Sequence, residues 1–118
     1  MRFEAVDFGA QAPIDGYGPG FFRIGGEVFE GPLVLTGEGV APWGGLEDTE
    51  AIRALAGRID VLFVGMGEEM AHLPPALAAA MAEGGVMGEP MPTPAACRSY
   101  NVLLGEGRRV GAALLPVG

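Results

Sequence analysis

Every position of Val61-Leu62-Phe63-Val64 is apolar. Successive side chains of a strand point to opposite faces, so a half-exposed strand alternates apolar with polar residues. A strand without that alternation is buried on both faces. Asp60 to Val64 is therefore expected in the middle of a sheet that carries structure above and below it. Ala112-Ala113-Leu114-Leu115 supplies a second apolar run. It is placed in a final strand over 108–115.

The covering layers are read from helical spacing. Ile52, Leu55, Ala56 and Ile59 recur at i, i+3, i+4 and i+7, which predicts one buried stripe on a helix over 49–56. Asp48 caps it and Gly57 stops it. Leu73, Leu77, Ala80 and Met81 mark a second helix over 74–83, with Pro74-Pro75 in its first turn and Gly84-Gly85 at its end. A third follows, with Thr93 as cap, Pro94 at the first helical position, and Ala96, Tyr100, Leu103 and Leu104 on one stripe. Gly105-Glu106-Gly107 turns the chain into the final strand, which the short connection allows to run antiparallel.

Upstream, residues 9–20 form a Gly/Pro-rich lead-in. Phe21 to Ile24, Gly25-Gly26 and Glu27 to Glu30 predict a β-hairpin, because two glycines provide the positive φ values of a primed turn. The register sets Phe22 opposite Phe29 beside Ile24, with Arg23 and Val28 on the other face. Leu33 to Thr36 is a short strand that Val40 to Trp43 extends or replaces. Strands alternating with helices indicate a parallel or mixed sheet with helices against it.

Charge narrows the choice of partner. The net charge is −8, and residues 1–50 hold nine acids against Arg2 and Arg23. Such a half repels phosphate backbones, so nucleic acid is not an expected partner. It attracts a cationic protein surface or simply keeps the chain soluble. Cys97 is the single cysteine. No disulfide can form within the chain, which favours an intracellular, cytoplasmic setting. No apolar run reaches the roughly 18 residues of a membrane span, and the acid near Met1-Arg2-Phe3-Glu4-Ala5 argues against a targeting signal.

Four places could carry chemistry. Gly65-Met66-Gly67 lies just past an apolar strand, where α/β proteins bind ligands. Met70 replaces the third glycine of a dinucleotide fingerprint, and Glu68 and Glu69 would repel a pyrophosphate, so no nucleotide cofactor is expected. His72, a lone histidine, makes no metal site. Trp43 either marks an interface or anchors its loop. The richest polar cluster is Cys97-Arg98-Ser99-Tyr100-Asn101, near a helix N-terminus. With Thr93 it could form an anion or carboxylate pocket. The structural reading has Cys97 as a buried, unreactive hydrophobe, Asn101 satisfying a neighbouring backbone, and Arg98 meeting Glu89, Glu68, Glu69 or that loop's carbonyls.

Gly88-Glu89-Pro90-Met91-Pro92-Thr93-Pro94-Ala95-Ala96-Cys97-Arg98-Ser99-Tyr100-Asn101-Val102-Leu103-Leu104, then Glu106-Gly107-Arg108-Arg109-Val110, form a specific string. With Gly16-Tyr17-Gly18-Pro19-Gly20-Phe21, Gly31 and Pro42-Trp43, it resembles a bacterial and archaeal domain-of-unknown-function family. The third assembly factor of mitochondrial respiratory complex I belongs to that family. The resemblance covers nearly the whole chain. It implies a three-layer α/β fold around a mixed five-stranded sheet with one antiparallel strand. It implies no established enzyme activity, and a protein partner such as another assembly factor or a membrane-complex subunit. Work at the periphery of the inner membrane is also implied. Pro92 stands where the family usually has Asp, which weakens a polar pocket, and Pro32 stands where Ser is usual.

The combined expectation is one domain over 1–118, with a mixed, mostly parallel five-stranded sheet and an added N-terminal β-hairpin. The expected function is non-catalytic binding or assembly. The alternative is a small-molecule binder or enzyme using a crevice near Gly65, Gly67 and Arg98. An open pocket there favours the alternative, and a filled one favours binding through an outer surface.

Overall fold

A computed structural model describes residues 5–7, of which 6 and 7 by backbone alone, and residues 12–118. Residues 1–4, read above for a targeting signal, and residues 9–11 of the lead-in lie outside that set. The elements in chain order are β1 (Val6–Asp7), β2 (Ile14–Gly18), β3 (Phe21–Ile24), β4 (Glu27–Glu30), β5 (Leu33–Thr36), β6 (Gly39–Pro42), α1 (Thr49–Arg53), β7 (Val61–Met66), α2 (Pro75–Glu83), β8 (Met87–Met91), α3 (Thr93–Gly105) and β9 (Val110–Leu115). The main sheet runs β1-β6-β5-β9-β7-β8, and β2-β3-β4 form a separate antiparallel sheet.

The apolar runs take the places their composition demands. β9 and β7 lie side by side, inside the sheet. Leu62 and Val64 face one side with Val34 and Ala113, against α1, α2 and Trp43. Phe63 faces the other side with Leu33, Leu35, Ala112 and Leu114, against α3 and the small sheet. The hairpin forms in the expected register, Phe22 opposite Phe29 and Arg23 opposite Val28. Gly25 and Gly26 both have positive φ. Phe22, Ile24 and Phe29 are buried, and Val28 is exposed.

Several expectations are corrected. The β9–β7 and β7–β8 pairings are parallel, but β5–β9, β5–β6 and β1–β6 are antiparallel. The sheet is therefore mixed: β6, β9, β7 and β8 share one direction and β5 opposes them, the one antiparallel strand that the resemblance implies, while the short β1 adds a sixth strand at the edge. β9 runs parallel to β7, because α3 itself returns the chain across the sheet, and a strand after such a crossover keeps its direction. The lead-in contains a strand, β2, which the glycines concealed. α1 is shorter than 49–56: after Arg53 the chain tightens into i→i+3 turns, with Leu55 N–H donating to Ile52 O and Ala56 N–H to Arg53 O. Ala56 is consequently exposed, while Ile52, Leu55 and Ile59 stay buried.

Periodicity gave no strand over 87–91, since Gly88 and Pro90 interrupt any pattern. β8 lies at the sheet edge, where a proline's missing N–H is tolerated. A Cβ on Gly88 would lie 2.6 Å from Met81 Sδ, so a larger residue here would displace the Met81 side chain of α2. Among the described residues, no helix is long and apolar enough to cross a membrane.

Candidate functional site

The end of β7 meets the start of α3, as a strand-end site requires. The junction of Gly65, Gly67 and Thr93 is filled, and an open hollow of about 400 Å³ adjoins it at Pro19, Glu68 and Pro94. Thr93 is fully buried, and its Oγ1 accepts from the Gly67 N–H at 2.9 Å and donates to Leu115 O at 2.6 Å. The Thr93 N–H donates to Gly67 O at 2.7 Å. A Cβ on Gly65 would lie 2.7 Å from Thr93 Oγ1 and 2.9 Å from Leu114 Cδ2. Gly65 is therefore needed for close approach by protein, and Gly67 for its φ of +94°. Thr93 is the first residue of α3, not its cap. Pro92 holds the cap position without a capping side chain.

The cluster on α3 divides by face. Ala96, Cys97, Tyr100 and Leu104 enter the core with the small sheet. Asn101 Oδ1 accepts from Ile14 N–H and Asn101 Nδ2 donates to Ile14 O, both at 2.8 Å. The amide thus acts as a strand neighbour for β2 and ties the small sheet to α3, the structural role foreseen for it. Arg98 is exposed. The expected contacts to Glu89, Glu68 or Glu69 are not formed. The reason is angular: successive residues leave a helix about 100° apart. Ser99, whose Oγ lies 3.7 Å from Met91 Sδ, takes the flank facing β8, and Arg98 projects away from it.

Burial of Cys97 pushes its thiol up to about 11, with the Arg98 charge opposing that weakly. Above pH 9 the unfolded thiol releases its proton while the folded one holds it. Native stability should therefore fall as pH rises from 9 towards about 11. Cys97→Ala should remove that slope between pH 9 and 10 in denaturant melts repeated at each pH; above that the buried Tyr100 phenol adds a fall of its own. Native Cys97 should also react slowly with a thiol reagent, and modification as fast as in the denatured chain would contradict its burial.

The Tyr100 hydroxyl is buried with no hydrogen-bond partner among the described residues, and burial pushes its phenol above the ordinary range. An unsatisfied buried hydroxyl opposes folding. Tyr100→Phe should leave stability unchanged or raise it by about 1–2 kcal/mol, and a loss above about 1 kcal/mol would reveal a partner for the oxygen.

Trp43 lies on the opposite face of the sheet, buried among Ile52, Leu55 and Leu77. Its Nε1 donates to Asp48 O at 3.0 Å, and Asp48 caps α1 by accepting from the Ala51 N–H. Trp43 anchors its loop and shares no site with α3. His72 is exposed on the loop before α2.

The family described as "protein of unknown function (DUF498/DUF598)" matches residues 14–115. The chain belongs to that family. An uncharacterized protein of Rhodobacter capsulatus is 57% identical over 93% of this chain and 89% of its own length. The Bos taurus protein named NADH dehydrogenase [ubiquinone] 1 alpha subcomplex assembly factor 3 is 36% identical over 87% of this chain. The match spans 60% of that relative's length. A crystal structure described as an outer membrane protein from Bartonella henselae superposes with a TM-score of 0.84 at 34% identity, covering 94% of this chain and 99% of the other.

Within this DUF498/DUF598 chain, the string 95–103 is mostly structural. Gly65, Gly67 and Thr93 come together as a closed junction. Asn101 and Tyr100 face the small sheet, and Arg98 is left at the surface with Val102, which is 60% exposed. Sequence reasoning missed the doublet Arg108-Arg109. Two adjacent guanidinium groups at a strand entrance were the available signal.

Proposed function

We propose that this protein is a non-catalytic binding protein that assists assembly of a respiratory NADH dehydrogenase. The observation that carries this reading is the 36% identity to a protein named as an assembly factor of that enzyme, across 87% of this chain. The filled junction agrees with it, because Gly65, Gly67 and Thr93 are occupied with one another and the hollow beside them, at Pro19, Glu68 and Pro94, is open to solvent. The docking surface is the outer face of α3. Arg98 and Val102 are both exposed and lie about one helical turn apart, a cation beside an apolar contact. The partner is a subunit of the complex or another assembly factor, and the protein works in the cytoplasm against the inner membrane.

Two measurements test this. Arg98→Glu should change unfolding free energy by under about 0.5 kcal/mol, as exposed substitutions do. A tagged wild-type chain, purified from its host, should carry subunits or assembly factors of the NADH dehydrogenase, and the Arg98→Glu, Val102→Glu double variant should lose them. Equal recovery with the variant would remove α3 from the interface.

A further inference from the structure

The sequence has seven cationic side chains, all arginine, within a net charge of −8. Three of them converge. Arg58, Arg108 and Arg109 line an open groove of about 1060 Å³ at the end of the sheet opposite Gly65 and Gly67, where β9 begins and the chain turns between β5 and β6. Val34, Leu55 and Ile59, which pack on one face of the sheet, give it an apolar floor. Arg58 Nη2 lies 2.7 Å from Glu38 Oε1, and Arg109 Nη2 lies 2.7 Å from Asp60 Oδ1. All four side chains are more than half exposed. The Arg108 guanidinium makes no hydrogen bond or close ion pair among the described residues, yet its charge helps hold Asp60 low, after the larger effect of the Arg109 hydrogen bond.

Among the residues that line the groove, three arginines stand against one acid, Glu38. We propose that this groove binds a carboxylate-bearing segment of a partner protein, with Arg108 as the primary contact. Guanidinium presents a planar fork that matches a carboxylate. The exposed Arg58–Glu38 pair holds Arg58 only weakly, so Arg58 can turn from Glu38 to the incoming carboxylate. The apolar floor takes a side chain next to it. Glu38 in the lining and Asp60 beside Arg109 repel a phosphate dianion more strongly than a monoanion. The groove is at the far end of the sheet from Gly65 and Gly67, and its occupancy does not depend on the outer face of α3.

The test is fluorescence anisotropy at low salt with the full chain. The probe is a fluorescein-labelled peptide of alternating glutamate and leucine, and the reference has glutamine for glutamate. Wild type should prefer the glutamate peptide by about tenfold or more, a preference that fades at high salt. Arg108→Glu should abolish the preference. Glu38→Gln should strengthen binding, because it frees Arg58, and a misfolded variant could not produce that gain. Arg23→Glu makes the same charge change on the small sheet and should retain binding. Equal affinity of wild type for both peptides, unchanged binding by Arg108→Glu, or weaker binding by Glu38→Gln would overturn the proposal. So would tighter binding of the corresponding phosphoserine peptide.

Discussion

Thr93→Val should lower the unfolding free energy by about 2–5 kcal/mol, the sum for two backbone groups left without partners. Valine fills the same volume but has no hydroxyl, so the Gly67 N–H loses its acceptor and Leu115 O loses its donor. Water cannot replace them readily, because Thr93 is fully buried. Thr93→Ser keeps both hydrogen bonds and gives up one methyl group, at about 1 kcal/mol. Denaturant melts of the pair separate hydrogen bonding from packing. Equal losses for valine and serine would mean that volume, not the hydroxyl, holds the junction. The result bears on function, since the junction fills the space between the end of β7 and the start of α3.

Phe22→Ala should cost about 3–5 kcal/mol, the range for truncating a fully buried aromatic side chain. Phe22 sits opposite Phe29 and packs in the core that joins the small sheet to α3. Its ring also passes close to Gly31, where a Cβ would lie 2.8 Å from Phe22 Cε2. Neighbours held by backbone on several sides cannot collapse into the space, so most of the cavity term should persist. Val28→Ala, on the exposed face of the same hairpin, should cost under about 0.5 kcal/mol. A small effect at Phe22 would show that the small sheet docks more loosely than its burial indicates.

The hairpin was legible because Gly25-Gly26 fixes a turn type, the turn type fixes register, and the register places Phe22 against Phe29. The double coverage of β7 was legible because an uninterrupted apolar strand has no face to offer water. β8 was not, since Gly88 and Pro90 are there for packing against Met81 and for an edge position, neither of which periodicity records. The candidate site was only partly legible. Asn101 and Cys97 fill structural roles that follow from their place on a helix. The path of Arg98 depended on an angle around α3 relative to β8, a tertiary quantity that spacing does not contain. Thr93 looked like a cap because threonine favours that position. Its hydroxyl instead bridges two strand ends that are 26 and 22 residues away.

The role proposed for this chain, assembly of a respiratory NADH dehydrogenase through a protein-binding surface, should show in the amount of that enzyme in the membrane. The most direct test deletes its gene in the native host and measures the fully assembled enzyme by native gel electrophoresis of membranes. The expected outcome is a depleted complex with accumulated subassemblies, restored by the wild-type gene and not by the Arg98→Glu, Val102→Glu variant. A deletion strain with the full amount of assembled enzyme would contradict it.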